Sequence, residues 1–174
     1  MGGRRYRSSI PGPALFFATT SADGRIEIFD SNDRLGLAEE ILFQVARRHE
    51  AVLTGYVIMP NHVHFLIGMR EGGKQLSSFM HSYKGNVRQA IYGNAHIWQQ
   101  RFDDLVITSQ EQFTIKLNYM HWNPVKRQLV NRPEAWRFSS YRFWAFGEEN
   151  PHLVRDFDWF ADRVAVGCGD PTAQ

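Results

Sequence analysis

A single cysteine, Cys168, stands among 174 residues, so no internal disulfide can form and no thiolate zinc site can be assembled. A reducing compartment fits that usage. No apolar run reaches the roughly 20 residues a membrane helix needs. The Arg-rich first residues run into Pro11-Gly12-Pro13 and not into the apolar core of a signal peptide. These absences predict a soluble, cytoplasmic chain without membrane contact. A strong net charge is also missing: the formal value is +2, so the overall balance does not single out a polyanion binder. Internal repeats and low-complexity segments are absent too.

What is present is a 43% hydrophobic composition, enough at this length for one domain with its own core. The charge is segregated along the chain. Arg4, Arg5 and Arg7 carry no acid among them, and the stretch from Lys116 to Arg142 adds Lys126, Arg127, Arg132 and Arg137 against Glu134 alone. After Gly147 the sign reverses, with Glu148, Glu149, Asp156, Asp158 and Asp162. The chain therefore divides into a basic arm (1–13), a domain (14–146) and an acidic tail (147–174), and a polyanionic partner would meet the basic parts.

Periodicity supplies the elements. Residues 14–20 read as a strand ending at the turn Ala22-Asp23-Gly24, and Ser31 or Asn32 caps a helix running to about His49. Two β-rich runs, 51–59 and 62–69, flank the turn pair Pro60-Asn61. A second helix spans about 76–92, a short strand surrounds 105–108, and Ser109-Gln110-Glu111-Gln112 forms a capping box that opens a third helix. That helix should end near Asn123, because Pro124 disfavours helical geometry in the residue before it. The order β-α-β-β-α-β predicts an α+β fold, a ferredoxin-like or RRM-like antiparallel sheet, with a C-terminal helix appended.

Chemistry concentrates at two places. In a strand His62 and His64 share one face, a ready-made pair of metal ligands; an isolated His-x-His is more often two polar residues facing solvent. On the third helix Phe113, Leu117 and Met120 make a core stripe, whereas Tyr119 and Asn123, one turn apart, look the same way. A tyrosine beside a metal site makes chemical sense, though a helical tyrosine also serves amphipathic packing. The cations from Lys126 to Arg137, interleaved with Trp122, Trp136 and Tyr141, suit single-stranded nucleic acid or a plain solvated face. Trp98 and Phe102 read as packing residues. Lys84 and Arg88, one turn apart on the second helix, face solvent by pattern.

Four stretches in order carry a resemblance: Met59-Pro60-Asn61-His62-Val63-His64, Trp98-Gln99-Gln100-Arg101-Phe102, residues 118–127 (NYMHWNPVKR), and Trp136-Arg137-Phe138-Ser139-Ser140-Tyr141. Over about residues 14 to 144 the chain resembles the REP-associated tyrosine transposases, single-tyrosine members of the HUH (His-hydrophobic-His) class. The resemblance implies a catalytic domain over 14–146 that cleaves and rejoins single-stranded, hairpin-bearing DNA through a 5′-phosphotyrosine. It makes Tyr119 the nucleophile and His62, His64 and Asn123 the ligands of one Mg2+ or Mn2+. It makes Arg4, Arg5, Arg7, Arg101, Lys126, Arg127, Arg132 and Arg137 candidate DNA contacts. A monomer and a homodimer are both compatible with it. The alternatives are a single-tyrosine replication-initiator nickase and a DNA-binding protein that does not cut. The first strand departs from the family in lacking His and Arg, and Gln128-Leu129 replaces a small residue and glycine.

Overall fold

The computed structural model describes residues 10–156. Strands β1 (Ala14–Ser21), β2 (Val52–Met59), β3 (His62–Met69) and β4 (Asp103–Ile107) form one antiparallel sheet in the order β2-β3-β1-β4. Helices α1 (Asn32–Arg48) and α2 (Gly73–Tyr92) cover one face, and α3 (Gln110–His121) covers the other. Two short helices follow, α4 (Asn123–Lys126) and α5 (Tyr141–Phe146). The α+β composition expected from the periodicity is what forms.

Side-chain alternation sorts the strands between two cores. Phe16, Ala18, Val63, Phe65 and Ile67 pack with α1 and α2, while Leu15, Phe17, Val57, Met59 and Leu66 pack with Phe113, Leu117 and Met120 of α3. With both faces covered, the central strands read as nearly continuous apolar runs. His62 and His64 have the parity of Leu66, so they lie on the α3 side.

Helix starts follow local chemistry. Ser31 Oγ accepts from Arg34 N–H at 3.4 Å and Ser109 Oγ from Gln112 N–H at 3.2 Å. Gln112 Oε1 completes the second cap by accepting from Thr108 N–H at 3.0 Å, one residue earlier than a standard capping box. Helix α2 begins at Gly73, three residues before the first periodic apolar position. Gly72, at φ 66°, makes that start possible: a Cβ there would come within 2.1 Å of the Ile10 carbonyl oxygen.

Helix α3 ends at His121, close to Asn123 as expected, but not for the expected reason. Pro124 does not leave Asn123 extended; Asn123 opens α4 with Pro124 in its first turn, where a missing N–H is tolerated. Trp122 N–H still reaches Asn118 O, and Arg127 N–H reaches Asn123 O at 2.9 Å, so helical winding resumes after a one-residue break. Residues 136–140 then run along the free edge of β2. Ile58 N–H donates to Phe138 O, Ser140 N–H to Tyr56 O, and Trp136 Nε1–H to Ile58 O at 3.0 Å. That lining blunts an edge that would otherwise be open to pairing.

Candidate active site

Both histidines are buried: His62 is 8% exposed and His64 5%. Neither stands on an open sheet face, because the Phe17 ring stacks on His64 at 5.3 Å and α3 closes over the strand. The two imidazoles meet edge to face at 4.8 Å. Their outward nitrogens are set by neighbours. Asn61 Nδ2 donates to the Arg25 carbonyl at 3.2 Å, which turns Asn61 Oδ1 towards His62 Nδ1 at 2.7 Å. An amide oxygen only accepts, so Nδ1 carries the proton and Nε2 keeps its lone pair. Asn61 is thus more than a turn residue.

His64 is held from the neighbouring strand. Thr19 pairs with it in the β1–β3 register, and Thr19 Oγ1 lies 2.7 Å from His64 Nδ1. With Nδ1 protonated, that N–H donates to the hydroxyl and Nε2 is left as a lone pair. His64 Nε2 is buried and has no hydrogen-bond partner among the described residues. Such an orphan calls for an explanation, and a bound cation is one. Burial pushes the His64 pKa down to about 3, helped by His62, Lys116 and Arg127; burial and then Arg127 and Arg25 push His62 down to about 4. Both imidazoles are therefore neutral near pH 7, the form that ligates metals. Asp103 lies across the sheet from Thr19, in the same row as His64, and is exposed.

Tyr119 stands at the mouth of this pair, 43% exposed, its ring edge-on to His64 at 5.7 Å and to Phe17 at 6.1 Å. Two ammonium groups flank the ring, Lys126 Nζ at 5.2 Å and Lys116 Nζ at 5.7 Å from its centroid. Lys116 was not among the expected site residues, although its i−3 spacing from Tyr119 was available in the sequence. Asn123, one turn further on, is only 4% exposed and donates its Nδ2–H to the Tyr119 carbonyl at 3.4 Å.

What seats α3 against the sheet is a set of contacts below Tyr119. Gly55 leaves room for it: a Cβ there would lie 2.8 Å from Met120 Cε and 3.1 Å from Leu117 Cδ1. His121 is buried at 3%, its Nε2 is 2.8 Å from Ser140 Oγ, and that hydroxyl accepts from Tyr56 N–H at 3.0 Å. Burial lowers the His121 pKa to about 4. His121 thus ties α3 to the 136–140 segment and β2, which accounts for the Ser-Ser-Tyr run, and it does not face the His62–His64 pair.

The expected DNA contacts separate. Lys126 joins the site through Tyr119, and Arg127 is near enough to depress both histidines. Arg137 does not join it: its guanidinium lies over the Phe138 ring at 4.9 Å and acts on Glu39, a carboxyl that burial raises and whose side chain accepts from Tyr56 OH. Arg132 pairs with Glu134 at 3.6 Å, and Arg101 is exposed in the loop before β4. Arg4, Arg5 and Arg7 lie outside the described residues. No helix among the described residues is long and apolar enough to cross a membrane.

A family model described as "Transposase IS200 like" matches residues 19–123, an interval bounded by the His64 partner Thr19 and by Asn123. The chain is similar to the REP-associated tyrosine transposase of Escherichia coli K12, with 26% identity over 167 residues, 96% of this chain and 95% of that one. Among solved structures it is similar to a REP-associated tyrosine transposase bound to a REP hairpin. That match has a TM-score of 0.71 and 25% identity over 92% of this chain and 95% of the other.

Proposed function

The chain belongs to the IS200-like transposase family, and from that premise we propose that it cleaves and rejoins single-stranded DNA at hairpin-bearing repeats, with Tyr119 as the nucleophile. One observation carries the residue assignment: Tyr119 stands edge-on to His64 at 5.7 Å, beside an imidazole whose buried Nε2 has no protein partner. The hairpin held by the similar solved protein supports the DNA partner.

Tyr119 loses its phenolic proton to solvent as its oxygen attacks the phosphorus of a scissile diester, the P–O3′ bond breaks, and the 3′ oxygen takes a proton back from solvent to leave as a hydroxyl. The 5′ phosphoryl group stays esterified to Tyr119. Because the ester is kept on the protein, a 3′-hydroxyl can attack the same phosphorus, release Tyr119 and rejoin strands. Lys116 and Lys126 flank the ring and would hold the non-bridging oxygens by charge-assisted contacts. Asn61 keeps His62 in the tautomer that leaves its Nε2 lone pair free, and Thr19, hydrogen-bonded to His64 Nδ1, leaves His64 Nε2 without a protein partner among the described residues.

No group of three or more His, Cys, Asp or Glu side chains comes together among the described residues, so two imidazoles need an oxygen ligand of another kind. The Asn123 amide would supply it, and Mg2+ or Mn2+ bound by His62, His64 and Asn123 would act on the phosphate as a Lewis acid. Tyr119 lies 5.7 Å from His64 of its own chain, which supports cleavage in cis.

The test is a denaturing gel with labelled single strands from the DNA flanking the gene, in Mg2+ or Mn2+. A covalent adduct is expected that vanishes with Tyr119→Phe, His64→Ala or chelator. Tight binding without any adduct would replace this reading with a DNA-binding protein that does not cut, and an adduct surviving Tyr119→Phe would remove the nucleophile assignment.

A further inference from the structure

On the opposite side of the sheet from Tyr119, a groove of about 380 Å³ opens between α2 and the loop that precedes β4. Its rim carries His81, Lys84 and Arg88 from successive turns of α2, its wall includes Trp98 and Phe102, and no acidic side chain lines it. Arg88 is exposed and forms no ion pair among the described residues. The volume falls within the range of small-ligand sites, and an apolar wall under a cationic rim is the complement of a nucleotide, base against the wall and phosphate at the rim.

Gly85 sits in this groove, in the interior of a 20-residue helix. Glycine destabilises a helix interior relative to alanine, so packing or conformation usually justifies it. Neither applies here. Its φ is not in the left-handed region, and a methyl added at Gly85 would meet nothing within 4 Å. At Gly85 the groove therefore has an open stretch without a side chain.

The loop that forms the other wall is anchored to the catalytic end of the sheet. Gln99 N–H donates to Ser21 O at 3.0 Å, Trp98 bridges to Ala22, and Ser21 is the register partner of His62. Lys84 Nζ fastens the same loop by donating to Gln99 O at 2.6 Å. Two strand spacings, about 10 Å, therefore separate the groove wall from the His62 backbone.

We propose that this groove binds a nucleotide of the single strand being processed, on the far side of the sheet edge from the scissile phosphate, with Arg88 at the phosphate and the open floor at Gly85 receiving the sugar or base. This rests on the reading of the chain as a single-strand DNA enzyme.

The experiment uses the full chain, 15N-labelled, titrated with oligothymidylate dT4, and fluorescence anisotropy with labelled dT12. The Gly85 N–H and the Trp98 indole N–H should shift on titration. Gly85→Leu, which keeps a strong helix former and fills the groove, should weaken dT12 binding about fivefold while far-UV circular dichroism stays unchanged. Arg88→Glu should lower the slope of log Kd against log salt by about 0.7 to 1. Shifts confined to the surroundings of Tyr119, with Gly85→Leu binding as the parent does, would overturn the groove alone. Absence of any response to dT12 anywhere would overturn the single-strand reading together with it.

Discussion

Replacing Gly55 by alanine tests whether the approach of α3 to the sheet sets the position of Tyr119. The added Cβ would stand 2.8 Å from Met120 Cε, 3.1 Å from Leu117 Cδ1 and 3.3 Å from Ser140 Oγ, all beneath the helix that carries the tyrosine. Met120 is fully buried and its Cε is the end of a flexible side chain, so the clash is relieved either by turning that tip within a packed core or by moving the helix. If the helix rather than the Met120 tip takes up the strain, restoring ordinary carbon contacts of about 3.8 Å moves it by roughly 1 Å. Overpacking of this kind costs about 1–3 kcal/mol, and a 1 Å misplacement of a reacting group costs about 100-fold in rate. Single-turnover adduct formation should therefore slow by about two orders of magnitude. The melting temperature should fall by roughly 2–4 °C for each kcal/mol lost. Met120→Leu, which draws the side-chain tip back from the sheet, should recover part of both losses in the double variant, as expected for residues in contact. An adduct rate for Gly55→Ala within twofold of the parent would refute the idea that this contact positions Tyr119.

Two further outcomes follow from the same geometry. Ser140→Ala removes the hydroxyl shared by Tyr56 N–H and His121 Nε2, leaving buried polar groups unpaired; chemical denaturation should show a loss of about 1–3 kcal/mol, and an unchanged midpoint would count against the clip. Thr19→Val should weaken Mn2+ binding, read by electron paramagnetic resonance, by about 10- to 100-fold, whereas Thr19→Ser should restore it; equal affinity for all three would show that the 2.7 Å contact does not orient His64.

Much of the fold was legible because each element advertises itself within its own length. Ser31 and Ser109 mark helix starts by a hydroxyl three residues from the N–H it accepts, and the Phe113-Leu117-Met120 spacing marks the buried stripe of α3. The two histidines share a face because a strand has a period of two, a property independent of anything outside β3. The ordered Asn-His-x-His and Tyr-x-x-x-Asn-Pro stretches carried the family resemblance without any structure. Helix α2 started earlier than its apolar pattern because Gly72 depends on a distant carbonyl, that of Ile10, for which the local sequence has no signal.

Residue types and periods thus determined which elements form and which side chains could do chemistry. The tertiary structure decided which of them meet. Thr19 and His64 are 45 residues apart, and Tyr56 and Ser140 are 84 apart. Only strand pairing puts the first pair in register, and only the edge segment brings the second together. The same packing buried both histidines, placed Lys116 beside Tyr119 and sent Arg137 to Glu39, though all the basic residues of that stretch had looked alike in sequence. Charge and period are properties of a segment, whereas desolvation and hydrogen-bond partnership belong to the neighbours that the folded chain supplies.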